Sequence, residues 1–342
     1  MVPSRPSGTT PSKTQRSRNT VALVVPLYNE EAVVPLLIDE IESYRAAHPE
    51  VVEVVLIDDG SRDATAARIR DLTESRAGYK LLCFSRNFGH QIAITAGLEF
   101  VESDAAVIMD ADLQDPLWVV TEMVERWREG YDVVYGIRDD REGETLFKRG
   151  ATYLFYRFFR KMSDVEAPLD TGDFRLISRE VLDAYNALQE RQPFVRGLIA
   201  WLGYNQVGVR YTRPARAAGR TKYPLRKLWR LATDGITSFS DKPLRYAVAI
   251  GMLIALGAVL GLVWVLVNKF LFGVPVGWAS LIFAAFFFGG VQLFFLGIVG
   301  AYLARVYEEV KGRPRYIMKD VWASEEDTPR LVATGGREGD LE

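Results

Sequence analysis

Ala105-Ala106-Val107-Ile108-Met109 runs straight into Asp110-Ala111-Asp112-Leu113-Gln114-Asp115-Pro116, and this join sets the architecture. Five apolar residues are too few for a buried helix but suit a strand buried on both faces. The spacing after Pro116 predicts a helix over 116–128. Working outward, the same alternation repeats. Apolar runs at Val21–Leu27, Val51–Ile57, Lys80–Phe84 and Asp132–Tyr135 read as strands. The stretches 31–47, 63–74 and 91–101 carry apolar residues at helical spacing. Strands that alternate with helices imply an α/β fold with a mostly parallel sheet covered on both faces. Such sheets hold ligands beyond the carboxyl ends of their strands, so the polar residues there are the candidates for chemistry.

Composition narrows those candidates. The chain has 342 residues with 42 Lys and Arg against 44 Asp and Glu, a net charge of -2. That balance excludes a uniformly basic nucleic-acid binder. One cysteine, Cys83, excludes a disulfide scaffold and a cysteine-built zinc site, and two histidines, His48 and His90, exclude a His-rich one. Any metal must then sit on oxygen ligands, which points to Mg²⁺ or Mn²⁺.

Hydropathy divides the chain. Residues 1–20 are polar and basic and read as a disordered tail; without an apolar core segment they are no signal peptide. Near 147–163 and 224–241, basic and aromatic residues interleave at helical spacing, as in helices that lie in a membrane interface. The stretches at about 246–268 and 279–304 carry no charge, and each is long enough to cross a bilayer. Arg220, Lys222, Arg226, Lys227, Arg230, Lys242 and Arg245 precede the pair, Arg305, Lys311, Arg313, Arg315 and Lys319 follow it, and only Lys269 lies between. By that asymmetry both ends face the cytoplasm and residues 244–306 form a transmembrane hairpin in the inner membrane. Residues 21–243 then form a cytoplasmic domain and 307–342 a cytoplasmic tail, acidic and polar from Ser324.

Three strand ends carry the chemistry. Asp110 and Asp112, one residue apart, can share a divalent cation and the diphosphate it carries. Val25-Pro26-Leu27-Tyr28-Asn29-Glu30-Glu31 closes the first strand and Asp58-Asp59-Gly60-Ser61-Arg62-Asp63 the second. A carboxylate there can accept an N–H from a base, and an aromatic ring can pack on one. Each end read singly is a helix-capping turn; three in register describe a nucleotide pocket. No phosphate-binding G-x-x-x-x-G-K-[ST] and no dinucleotide fingerprint is present.

V-P-L-Y-N-E-E, D-D-G-S-R-D, S-R-N-F-G-H-Q, D-A-D-L-Q-D-P and T-G-D-F-R-L together resemble the GT-A glycosyltransferases of family 2. Within them the chain is similar to polyprenyl-phosphate glycosyltransferases of the dolichyl-phosphate mannose synthase and GtrB-like types, from about Val21 to Arg315. The resemblance implies that Pro26, Tyr28, Glu30, Asp59, Asn87 and Asp110 bind the nucleotide, and that Asp110, Asp112 and Gln114 hold the metal or its waters. It puts Asp112 and Asp173 at the catalytic centre; as a bare loop residue, Asp173 would instead pair with Arg175. His90 stands where many relatives carry Lys, and its role stays open. Arg138, Arg149 and Lys222 are candidates for the acceptor phosphate, whose charge-assisted contacts suit Arg and Lys. The implied reaction moves one sugar, with inversion, from a nucleotide sugar to polyprenyl (undecaprenyl) phosphate. UDP-glucose fits the two-span architecture and GDP-mannose is the alternative. A processive polysaccharide synthase and a non-enzymatic membrane scaffold are the competing readings; the absent Q-x-x-R-W motif counts against the first and the intact D-A-D-L-Q-D against the second. Relatives with this hairpin imply a homo-tetramer.

Overall fold

The computed structural model describes residues 20–138, 171–188, 190–212, 242–272 and 277–324. Strands β1 (Val21–Leu27), β2 (Val51–Asp58), β3 (Tyr79–Phe84) and β4 (Ala105–Ile108) are buried along nearly their whole length and pair in parallel. Helices α1 (Val34–Ala47), α2 (Thr65–Thr73), α3 (His90–Glu99) and α4 (Leu117–Arg128) connect them. α1 begins later than its apolar spacing suggests, with Pro35 in its first turn, where a missing N–H costs nothing.

The sheet has eight strands in the order β7-β5-β6-β4-β1-β2-β3-β8. β5 (Val133–Arg138) does not join β4 directly. β6 (Thr171–Ser178) inserts between them and runs antiparallel to both. The T-G-D-F-R-L segment is therefore strand, with Asp173 and Arg175 two residues apart on one face. α5 (Arg179–Asn186) and α6 (Val195–Trp201) follow, then β7 (Gln206–Tyr211) at the edge, parallel to β5.

Two apolar layers sandwich the sheet. One packs Leu37, Ile41, Ile69, Met123 and Trp127 from α1, α2 and α4. The other packs Ile94, Leu98, Leu182 and Leu198 from α3, α5 and α6. Gly97 lets α3 lie close, since a Cβ there would meet Ile57 and Val24 side-chain atoms at 2.6 Å. One buried ion pair braces the strand starts, Lys80 Nζ to Glu53 Oε1 at 2.9 Å, with Glu53 also accepting the Ser103 N–H and hydroxyl.

α7 (Lys242–Phe272) has 31 residues and α8 (Trp278–Val310) has 33. At 1.5 Å per residue each reaches roughly 45 Å, beyond the ~30 Å hydrocarbon core. Both are long and apolar enough to cross a membrane, and their apolar windows are not buried within the chain. Trp264, Phe270 and Phe294 stand exposed on them. One boundary needs correcting. The stretch assigned to a tail after 306 continues α8 to Val310, and Met318–Ala323 forms β8, antiparallel on the β3 edge. Its burial does not alternate along the strand, so no two-residue period marks it in sequence. Residues 1–19, both expected interfacial helices, Arg149, Lys222 and residues 325–342 lie outside the described residues.

Candidate active site

A cleft of ≈ 310 Å³ opens at the carboxyl ends of β1, β2 and β4, and Pro26, Tyr28, Glu30 and Asp59 line one side of it. Asn87, Gly89, His90, Asp110 and Asp112 line the other. Three sequence segments expected to share a nucleotide pocket thus meet in one place. Tyr28 is exposed and its ring is open to a planar ligand. Asn29, with φ 54, turns the chain after β1; its Oδ1 accepts the Arg62 N–H and its own N–H donates to Ser61 Oγ. Asn tolerates this left-handed turn better than most residues.

Asp59 is a strut as well as a wall. Its Oδ1 accepts the Phe88 N–H at 2.6 Å and its Oδ2 the Gly89 N–H at 2.9 Å. Burial raises its pKa, and those two donors offset part of that rise. Gly60 makes the join possible. It sits at φ +68, and a Cβ there would lie 2.3 Å from the Arg86 carbonyl carbon.

The D-A-D-L-Q-D turn is strained at Leu113, with φ 56. A bulky residue in this conformation costs energy and is found where the surroundings enforce it. Asp112 Oδ1 accepts the Gln114 N–H at 3.2 Å, and Asp115 Oδ1 accepts the Tyr211 hydroxyl at 2.8 Å. The turn aims Asp110 and Asp112 at the cleft. Gln114, the third expected metal donor, is buried and does not line the cleft. Arg138 is redirected. Its Nε donates to the Tyr211 hydroxyl at 3.2 Å and its Nη2 lies 3.6 Å from Asp115, so it buttresses the turn.

Asp173, on β6, is buried behind His90, which lines the cleft. Its Oδ2 accepts from Gln91 Nε2 at 2.8 Å and lies 3.3 Å from His90 Nε2, which is 3.6 Å from Asp110 Oδ1. Burial would raise the Asp173 pKa, but the His90 hydrogen bond and the charges of Arg196, His90 and Arg175 hold it well below the usual carboxylate range. The bare-loop alternative fails, since Arg175 donates to the Gly172 carbonyl at 2.9 Å instead of bonding Asp173. Asp173 Oδ1 is buried with no hydrogen-bond partner among the described residues. His90 gains a role that sequence reasoning left open. Burial would lower its pKa, but Asp173, Asp110 and Asp59 together raise it, and its ring lies between two carboxylates. Gln91 and Tyr211 were missed altogether; the family segment S-R-N-F-G-H-Q contains the first, and no local signal marks the second.

Among the described residues no three carboxylate, imidazole or thiolate groups converge into a closed metal cage. Asp110 and Asp112 form an open pair, which fits an ion that takes most of its shell from water and phosphate oxygens. The crowding points the same way. Burial pushes the Asp110 pKa up to about 6, against His90 and with help from Asp115, Asp173 and Asp112. A cation in the cleft would relieve that repulsion.

Residues 22–185 match the family model described as Glycosyl transferase family 2. An uncharacterized glycosyltransferase of Bacillus subtilis, YkcC, is 44% identical over 89% of this chain and 94% of its own. This chain belongs to glycosyltransferase family 2. The SfII prophage-derived bactoprenol glucosyl transferase of Shigella flexneri is 41% identical over 87% of this chain and 97% of its own. A prophage bactoprenol glucosyl transferase homolog of Escherichia coli is 39% identical over 88% and 99%. These place the chain among the GtrB-like polyprenyl-phosphate glycosyltransferases and make it an enzyme with the GT-A fold. Among solved structures, a glucosyl-3-phosphoglycerate synthase from Mycobacterium tuberculosis covers 64% of this chain and 78% of its own at 22% identity and TM-score 0.47, a likeness too slight to add to the assignment.

Proposed function

We propose that this glycosyltransferase moves one glucose from UDP-glucose to undecaprenyl phosphate on the cytoplasmic face of the inner membrane, with inversion. The observation that carries the reading is the group of Asp110, Asp112 and His90 in a nucleotide-sized cleft, with Asp173 against His90, in a chain with two membrane-length helices. The names of the Shigella and Escherichia coli relatives support the sugar and the carrier.

In this reading Asp110 and Asp112 hold Mg²⁺ or Mn²⁺, which when bound supplies charge neutralisation for the departing diphosphate. Tyr28 packs on the base, and Asp59 keeps the 85–89 segment against it. Asp173 completes the catalytic centre from behind His90, which stands between it and Asp110. The acceptor phosphate oxygen bonds to the anomeric carbon as the bond to the diphosphate breaks. The electron pair leaves with UDP, and one displacement inverts the centre. The phosphate is already ionised at neutral pH, so no strong base is required and positioning supplies most of the rate. Arg149 and Lys222 receive the acceptor phosphate, with Arg138 bracing the floor. Both termini face the cytoplasm, as the flanking charge indicates, and the working unit is a homo-tetramer.

The test is purified full-length protein in detergent with undecaprenyl phosphate, Mn²⁺ and either UDP-glucose or GDP-mannose. Mass spectrometry should find one hexose per lipid from UDP-glucose. A mannosyl product alone would reassign the donor, and no lipid-linked sugar from either would sink the reading.

A further inference from the structure

A second pocket, of ≈ 440 Å³, lies on the far side of the first turn of α3. His90 and Ala93 face the donor cleft, whereas Phe88, Gln91 and Ile92 face this pocket. Its walls carry Arg86, Arg191, Arg305, Arg313 and Arg315 against one acid, Glu308. Glu190 is a further acid whose charge is felt by Arg305 and Arg315, and three other acids are engaged. Glu308 pairs with Lys311 at 3.5 Å, Glu309 accepts the Arg191 backbone N–H at 2.9 Å, and Glu99 holds Arg315 at 3.2 Å. Arg86 is pre-set: its guanidinium lies 3.9 Å from the Phe88 ring centroid and donates to the Asn87 carbonyl at 2.9 Å. A planar fork held in this way loses little freedom on binding a phosphate.

Depth along α8 decides what the phosphate belongs to. The chain carries no charge from Phe270 to Ala304, and Arg305 is the first charged residue after that stretch. The pocket therefore sits where α8 leaves the hydrocarbon core, at headgroup level. Phe88, Ile92 and Phe194 add apolar wall to the arginines, which suits a group that is anionic at one end and greasy at the other.

We propose that this pocket binds the phosphate of a membrane lipid, as an anion site separate from the donor cleft. The proposal rests on α8 spanning the membrane, as read above, but not on the identity of the sugar or nucleotide. Two lipids share the chemistry: a bulk anionic phospholipid and the polyprenyl phosphate itself.

Native mass spectrometry of the full chain, titrated with phosphatidylglycerol and separately with undecaprenyl phosphate, tests it. The double variant Arg191→Gln/Arg313→Gln should bind lipid at least 10-fold more weakly than the parent. Its affinity for UDP with Mn²⁺ should stay within 2-fold. Arg126→Gln/Arg128→Gln, at the end of α4, should bind lipid like the parent. Loss for phosphatidylglycerol alone assigns the pocket to bulk phospholipid. Loss for undecaprenyl phosphate, with a raised KM for it, assigns the pocket to the acceptor. Unchanged binding of both lipids overturns the proposal, even in a chain that transfers sugar normally. If the glutamine pair does not fold, Arg191→Gln and Arg313→Gln are measured singly. Each should bind lipid several-fold more weakly, and parent-like binding of both lipids by both variants overturns the proposal equally.

Discussion

Replacing Gly60 with alanine tests how the donor cleft is held together. The new Cβ would sit 2.3 Å from the Arg86 carbonyl carbon and 2.7 Å from its Cα and oxygen. Carbon pairs settle near 3.5–4.0 Å, so the 86–89 backbone must retreat by about 1 Å. That retreat stretches the Asp59 contacts to the Phe88 and Gly89 N–H groups, now 2.6 and 2.9 Å, past hydrogen-bonding range. The left-handed φ of +68 adds its own cost for any residue with a Cβ. Together the conformational and steric costs come to about 2–4 kcal/mol. Gly130→Ala is the control, since φ is +114 there but nothing lies within 4 Å of the added atom. Thermal unfolding should show Gly60→Ala clearly less stable than Gly130→Ala. Kinetics with UDP-glucose should show KM raised about 10-fold in the first and unchanged in the second, the equivalent of about 1.4 kcal/mol of lost donor binding. Equal thermal midpoints and equal KM values would refute the claim that Gly60 and Asp59 set the cleft wall.

Other perturbations address separate parts of the account. His90→Ala removes the imidazole between Asp110 and Asp173 and should lower kcat/KM about 10-fold, a loss of about 1.4 kcal/mol in the transition state; His90→Lys, which places a charge there, should restore most of it, and equal rates in both variants would show that charge there is irrelevant. Tyr211→Phe leaves Asp115 Oδ1 and Arg138 short of a partner, so stability should fall by about 1–3 kcal/mol in thermal melts, and an unchanged melt would remove Tyr211 from the support of the turn. Lys80 is buried on Glu53 with its pKa raised: burial alone would lower it, and the Glu53 and Glu102 carboxylates overcome that. A raised pKa stabilises the fold fully below the unfolded lysine value near 10.4 and is lost as pH climbs through the folded value. The stability gap between parent and Lys80→Met should therefore hold from neutral pH to about 10 and shrink above it; a gap already lost between about pH 7 and 9 would contradict the assignment.

The first half of the sheet was legible in sequence because each unit is local. An apolar run such as Val51–Asp58 followed by a helix like α2 announces strand and helix with no knowledge of neighbours. The donor-side residues were legible for the same reason, since parallel strands send their carboxyl ends to one edge and Tyr28, Asp59 and Asp110 each close a strand. What failed depends on contacts far apart in the chain. β6 slips between β4 and β5, and no local pattern states that order. Arg138 reads as an open cation until Tyr211, 73 residues on, meets its guanidinium. The burial of Gln114, beside the left-handed turn at Leu113, is not written in the local sequence either. His90 alone is ambiguous; only β6 brings Asp173 to its side.

The most direct test of the two-aspartate site is the turnover number of Asp112→Ala with UDP-glucose, undecaprenyl phosphate and saturating Mn²⁺. Removing one of two ligands forfeits several kcal/mol of charge stabilisation on the departing diphosphate, so kcat should fall by about 10³-fold or more while the thermal melt stays near that of the parent. A folded variant that turns over within a few-fold of the parent would contradict the assignment of Asp110 and Asp112 to the cation and the diphosphate.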